Sequence, residues 1–278
     1  MQTWEGNVGR ISEMLLEIEN LEISFPSIHE SVFAVQGLDL ALIDGDSVAI
    51  VGESGSGKSV SVRSILGLIE SPPAYISGKI SYKGIDIINA SDSTLRQIRG
   101  KEIAMIFQDS LDSLNPVYTV GSQLIENLMI RLGLSKSEAK EEAIQLMKQV
   151  EIPAAEDRLY DYPHQFSGGM RQRINIAMAI SLKPRLLIAD EPTTALDVTV
   201  QAGILRLIKN LQQNYKMGLI FVTHDLSVAR IISERLLVMY SGRVMEQGPV
   251  DEVFSKPMHP YSRALLESHP NNVNNWRN

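Results

Sequence analysis

The run Gly52-Glu53-Ser54-Gly55-Ser56-Gly57-Lys58-Ser59 joins permissive backbone, one cation and several hydroxyls. Glycines allow turns in which successive N–H groups converge on one anion. A lysine brings a point charge on a long stem, and a serine hydroxyl is the hard oxygen donor that Mg2+ accepts. The spacing G-x-x-x-x-G-K-[ST] suits a chain of phosphates. The backbone cradles them, Lys58 reaches the β- and γ-phosphates, and Ser59 faces Mg2+. A helix following the loop adds the positive end of its dipole.

Two carboxylates stand together further on. Leu186-Leu187-Ile188-Ala189-Asp190-Glu191 is an apolar run ending in Asp190 and Glu191. At the end of a buried strand, an aspartate can hold Mg2+ through its water shell while the next glutamate polarises an attacking water. Between loop and carboxylates lies Phe166-Ser167-Gly168-Gly169-Met170-Arg171-Gln172, followed by an apolar helical stretch over 174–180. Its backbone N–H groups and the Ser167 hydroxyl form a second anion site. Two such devices on one chain suggest a nucleotide gripped from both sides. Thr223-His224-Asp225 closes another apolar run, placing His224 on the edge where a doubly wound sheet receives its ligands.

These residues need strands to carry them and helices to follow. Residues 16–24 and 48–51 read as strands, with Asp44-Gly45-Asp46 punctuating the approach to the second. Residues 79–87 are β-rich around a turn at Lys83-Gly84. Residues 120–150 are helical in pattern, and Ser135 with Glu138 forms a capping box. Beyond Arg185, strands at 186–189, 219–223 and 236–240 alternate with helical segments, one of them over 200–213, and Ser241-Gly242 marks a turn before 243–246.

The chain has 278 residues, 44% of them apolar, enough for one large core with or without a satellite subdomain. Its net charge of −7 disfavours a general hold on phosphate backbones, so no nucleic acid partner is expected. The absence of cysteine excludes disulfides, thiolate metal sites and iron–sulfur clusters. No apolar run approaches the roughly 18 residues needed to cross a bilayer. Residues 1–13 are polar, lack the apolar stretch of a secretory signal, and are expected to form a loose extension.

Together these segments resemble the nucleotide-binding domain of the ABC superfamily over nearly all the chain after residue 14. The resemblance implies an α/β fold: a P-loop NTPase (RecA-like) core with an antiparallel β subdomain and an inserted helical subdomain, about 110–166, within a cassette spanning 14–255. A short tail, 256–278, follows. In that family Gly52, Glu53, Ser54, Gly55, Ser56, Gly57, Lys58 and Ser59 are the Walker A loop. Gln108 is the Q-loop glutamine that senses Mg2+ and borders the membrane subunits. Ser167, Gly168, Gly169 and Met170 occupy the LSGGQ position. Asp190 and Glu191 are the Walker B aspartate and catalytic glutamate. Ala195-Leu196-Asp197 is the D-loop, and His224 is the switch histidine at the γ-phosphate. Phe166 and Met170 replace the usual leucine and glutamine without touching the phosphate-binding set. The adenine-stacking aromatic is expected at Phe25, with Phe33 its rival because segment 26–31 is longer than in a compact family member.

The resemblance also implies a mechanism shared between two ATPase domains. ATP and Mg2+ held by residues 52–59 would meet the Ser167-type loop of a second ABC ATPase subunit, a related chain or another copy. Closure would pull on two membrane permease subunits through the groove beside Gln108. An extracytoplasmic substrate-binding protein would act through the permeases, and this chain would sit peripherally at the cytoplasmic face of the inner membrane. Three segments resemble the peptide and nickel importer branch: Met105 to Asp109 continuing to Ser113-Leu114-Asn115-Pro116, Tyr162-Pro163-His164-Gln165, and His259-Pro260-Tyr261-Ser262-Arg263-Ala264-Leu265-Leu266. Peptide import is the leading expectation and nickel or metal-chelate import the alternative. A non-transport ABC ATPase acting on DNA or the ribosome fits less well with a single uninterrupted cassette of acidic balance.

Overall fold

Two sheets organise the chain, and the side-chain alternation of their strands explains how they are joined. The computed structural model describes residues 14–27, 30–108, 113–194 and 196–268. The expected N-terminal extension, residues 109–112 after Gln108, Ala195 of the D-loop and the end of the tail lie outside them.

An antiparallel hairpin comes first. Strands β1 (Met14–Phe25) and β2 (Val32–Ile43) pair from Met14↔Ile43 to Phe25↔Val32. Strand β3 (Ser47–Val51) leads into the glycine-rich loop, and helix α1 (Lys58–Ile65) leaves it. Strand β4 (Tyr75–Tyr82) returns antiparallel to β1, and β5 (Ile85–Asp86) folds back across Lys83-Gly84, giving a sheet of order β2-β1-β4-β5. Next come α2 (Asp92–Ile98), β6 (Ile103–Ile106), and the helices α3 (Val120–Leu132), α4 (Lys136–Gln149) and α5 (Ala155–Arg158). Then follow α6 (Gly168–Ile180), β7 (Leu186–Asp190), α7 (Val198–Tyr215), β8 (Gly218–Thr223) and α8 (Leu226–Ile232). The described chain closes with β9 (Arg235–Tyr240), β10 (Arg243–Pro249), α9 (Val250–Ser255) and α10 (Pro260–Glu267). The second sheet has order β10-β9-β3-β8-β7-β6, parallel from β9 to β6, with β10 antiparallel at one edge.

Strands β3, β7 and β8 are buried at every position, as expected of parallel strands covered on both faces. Successive side chains serve opposite layers. Leu187, Ala189, Leu219 and Phe221 join a core with the helices α3, α4, α6 and α7. Leu186, Ile188, Ile220 and Val222 join a second core against Leu16, Ile18, Leu40 and Tyr82 of the antiparallel sheet. Each large side chain so buried stabilises the fold by about 1.5–3 kcal/mol. One sheet therefore fixes both subdomains.

The helical stretch over 120–150 is two helices. Gly133, at φ 69°, ends α3 in the left-handed conformation that glycine adopts without a Cβ clash. The capping box then restarts the chain. The Ser135 Oγ accepts from the Glu138 N–H, and Glu138 Oε2 accepts from the Ser135 N–H at 2.9 Å. Among the described residues no helix is long and apolar enough to cross a membrane.

Register sets up the site. Val51, which precedes the loop, pairs with Thr223, which precedes His224, and Asp190 pairs with Val222. The glycine-rich loop, the two carboxylates and the histidine thus emerge side by side at the carboxyl edge of neighbouring parallel strands, where open α/β sheets bind ligands.

Candidate nucleotide site

The loop is boxed in by its neighbours. Gly57 caps α1 at φ 99°, and a Cβ there would lie 2.2 Å from the Ala34 carbonyl oxygen. A Cβ on Gly52 would lie 2.2 Å from the Met239 carbonyl oxygen. Only glycine fits these positions. Within the loop, Lys58 Nζ donates to the carbonyls of Gly52 and Glu53 at 2.8 Å each. Burial pushes the Lys58 ammonium below its usual value, while the charges of Glu191, Asp190 and Glu53 pull it back up.

Asp190 is fully buried. Its Oδ1 accepts from Ser59 Oγ at 2.9 Å, Arg63 lies 3.8 Å from Oδ2, and Oδ2 has no hydrogen-bond partner. Burial raises its pKa, opposed by the Ser59 bond and the Arg63 charge. An orphaned buried carboxylate oxygen beside a serine hydroxyl suits a hard cation such as Mg2+. Among the described residues no group of three or more His, Cys, Asp or Glu could hold a metal by itself, so phosphate and water oxygens would complete the shell.

Glu191 has φ 47°, a left-handed conformation uncommon outside glycine. Its own N–H, donating to Val222 O at 3.0 Å, holds it there. Glu191 Oε2 accepts from Thr194 Oγ1 at 3.0 Å and Gln108 Nε2 at 3.3 Å, and His224 Nδ1 lies 3.3 Å away. The carboxylate is thus aimed by three side chains from separate segments. Backbone strain of this kind clusters where geometry serves chemistry.

Lys58, Ser59, Gln108, Glu191 and His224 line one cavity of about 710 Å³, whose far wall is Val32, Phe33 and Ala34. The expected adenine contact, Phe25, is placed differently from Phe33. It sits opposite Val32 in the hairpin register and packs against the core between the sheets, whereas Phe33 is 59% exposed and faces the cavity.

The Ser167 loop stands apart. Ser167 caps α6, accepting from the Met170 N–H at 3.3 Å, and Gly169 lets α6 approach α7, since a Cβ there would meet Val200 at 2.4 Å. Asp197 caps α7 through a 2.9 Å bond from the Val200 N–H. None of Ser167, Gly168, Gly169, Met170 or Asp197 lines the cavity around Lys58. Arg63 and Thr194 belong to the site but were not foreseen. Arg63 follows Ser59 by four residues on the same helix face, and Thr194 follows Glu191 by three.

This fold and site define a P-loop ATP-binding cassette, with the glycine-rich loop, two carboxylates and a histidine gathered at parallel-strand ends and a separate helix capped by Ser167. Residues 35–194 match the ABC transporter family, and the chain belongs to it. Residues 245–278 match the oligopeptide/dipeptide transporter C-terminal region. The chain is 50% identical to the oligopeptide transport ATP-binding protein OppD of Bacillus subtilis (strain 168), over 92% of this chain and 72% of that protein. It is 47% identical to the glutathione import ATP-binding protein GsiA of Shigella boydii serotype 4 (strain Sb227), over 92% of this chain and 42% of GsiA. Among solved structures, the ATP-binding cassette MJ0796, a dimer in a post-hydrolysis state bound to ADP and Pi, superposes with a TM-score of 0.75 at 28% identity, covering 84% of this chain and 98% of that one.

Proposed function

We propose that this chain is the ATP-hydrolysing subunit of an importer that moves di- or oligopeptides across a cell membrane. The convergence of Lys58, Ser59, Asp190, Glu191, Gln108 and His224 at one sheet edge carries the catalytic part of the reading. Similarity of both the cassette and the 245–278 segment to peptide-import ATPases supports the substrate class.

The loop amides and Lys58 hold the phosphates, and Lys58 exchanges its two carbonyl partners for phosphate oxygens. Ser59, Asp190 and Gln108 are the groups that would hold Mg2+, which when bound neutralises charge on the phosphates. Glu191 orients a water whose oxygen forms a bond to the γ-phosphorus as the bond to the β-bridging oxygen breaks, yielding ADP and phosphate. Glu191 takes up the water proton, and His224 steadies the γ-phosphate side. An aromatic of the β1–β2 hairpin, Phe25 or Phe33, stacks on the adenine, and Phe33 has the cavity position.

Ser167 to Met170 and Asp197 close the nucleotide site of a second ATPase subunit, a related chain or another copy. Two permease subunits seat in the groove between sheet edge and helical insert. A cavity of about 350 Å³ lies there, lined by Met105, Phe107, Leu114, Asn127, Met178 and Leu182 among others. An extracytoplasmic binding protein delivers substrate to the permeases, and this chain works peripherally at the cytoplasmic face.

Uptake of labelled dipeptides and of labelled nickel in native cells, with wild-type chain or Glu191→Gln, tests the reading. Loss of peptide uptake is expected. Loss of nickel uptake alone, or of neither, would overturn the substrate class.

A further inference from the structure

His259-Pro260-Tyr261 lies outside the nucleotide cavity, yet it is stapled to the cassette. On β10, Glu246 accepts from the backbone N–H groups of Met258 at 2.8 Å and His259 at 3.1 Å. His259 Nδ1 then accepts from the Tyr261 N–H at 3.1 Å, capping α10, and Pro260 takes the first helical position, where its missing N–H costs nothing. Leu266 anchors the helix in a core shared with Val51, the residue that precedes the glycine-rich loop.

Tyr261 packs against that same core. Its ring lies 4.5 Å from the ring of Tyr240 at a 41° tilt, a favourable aromatic arrangement. Its hydroxyl is buried and meets no partner at hydrogen-bonding geometry. Burial, followed by the negative charge of Glu53, holds the phenol above its usual value. Tyr261 therefore stands against Tyr240, with Glu53 of the loop near enough for its charge to act on the phenol. Tyr240 itself belongs to the loop's floor. The preceding carbonyl, of Met239, is the one that a Cβ on Gly52 would strike, and the Gly242 N–H donates to Ser56 O at 3.0 Å.

We infer that α10 is a strut for the phosphate loop, with Tyr261 as its positioning residue. The loop is rich in glycine and loses much backbone freedom when it orders around phosphates. A ring packed on Tyr240, next to the Met239 carbonyl that abuts Gly52, removes part of that freedom in advance. Tyr261 touches no phosphate and acts through these neighbours. Linkage makes the effect mutual: if docked α10 favours the nucleotide-holding loop, bound nucleotide favours docked α10 by the same factor. The C-terminal segment thereby becomes coupled to nucleotide occupancy. This inference rests on the reading that residues 52–59 hold ATP.

The test uses the full chain, a non-hydrolysable ATP analogue with Mg2+, equilibrium titration and amide hydrogen exchange. In the wild type, saturating analogue should slow exchange across residues 260–267. Tyr261→Ala should weaken the analogue about fivefold or more and abolish that slowing. Tyr261→Phe, which keeps the ring, should restore both, and Arg263→Ala on the exposed side of the helix should alter neither. Wild-type exchange at 260–267 that is the same with and without analogue would overturn the strut, and that result stands even if Tyr261→Ala fails to fold. Wild-type affinity in Tyr261→Ala would overturn it too. Lys58→Ala in the same titration separates the two readings: binding lost there but kept in Tyr261→Ala would sink the strut and leave the phosphate loop standing.

Discussion

The loop at residues 52–59 and the loop at residues 167–170 are both glycine-bearing entries to a helix, and they are built to different ends. Around the first, β2, β7, β8 and the turn after β9 supply walls, two carboxylates and a histidine that face the loop's own buried lysine. Around the second, the serine caps its own helix and glycine serves close packing of α6 on α7, with none of its residues in the cavity around Lys58. A helix N-terminus attracts anions in either case. In the function proposed above, the surroundings decide whether the attraction is completed within the chain or by a second subunit.

The largest expected effect probes the completeness of the first site. Glu191→Gln should slow ATP hydrolysis in the assembled transporter by about 10²–10⁴-fold, the range for removing a general base, while ATP binding persists. Steady-state phosphate release beside equilibrium nucleotide binding checks both halves, and undiminished turnover would assign the base elsewhere. Ser167→Arg tests the second site. It should depress turnover of the assembled pair strongly yet spare nucleotide binding by the isolated chain, and equal losses in both assays would merge the two regions into one site.

Smaller effects sharpen the comparison. Phe33→Ala should weaken ATP by about 2–10-fold, the worth of an aromatic contact. Phe25→Ala, measured beside it by titration, decides which of the two aromatics carries adenine stacking. Asp190→Asn should raise the melting temperature of the ligand-free chain by a few degrees while removing the extra stabilisation by ATP with Mg2+. Burial holds the Asp190 pKa above the ordinary carboxylate value, so the folded chain binds that proton more tightly than the unfolded one. Stability is therefore lost as pH rises from the usual Asp range through the raised value. The asparagine variant should lack this component. A variant less stable than wild type at neutral pH would show that the buried charge is compensated.

What the sequence disclosed follows the same division. Strands β3, β7 and β8 were legible because burial on both faces writes them as unbroken apolar runs, and the loop, carboxylates and histidine lie at their ends. The capping box at Ser135 and Glu138 was legible because it is local. Strand β2 was not. Its alternation breaks at Gln36 and Gly37, both half-buried, where the register with β1 shifts, and only pairing with β1 gives that pattern a meaning. The separate placement of Phe25 and Phe33, the ion pair of Arg63 with Asp190, and Tyr261 beside the loop arise from residues far apart in sequence. Local patterns carry no record of such contacts.

The central proposal is that residues 52–59, with Gln108, Asp190, Glu191 and His224, form a nucleotide site within this chain, whereas residues 167–170 serve a neighbour. Equilibrium binding of ATP with Mg2+ to the isolated chain, in wild type, Lys58→Ala and Ser167→Arg, tests it most directly. The account predicts that Lys58→Ala binds at least about tenfold more weakly, as loss of a charge-assisted phosphate contact implies. It predicts that Ser167→Arg binds as wild type does. Normal binding by Lys58→Ala, or an equal loss in Ser167→Arg, would contradict it.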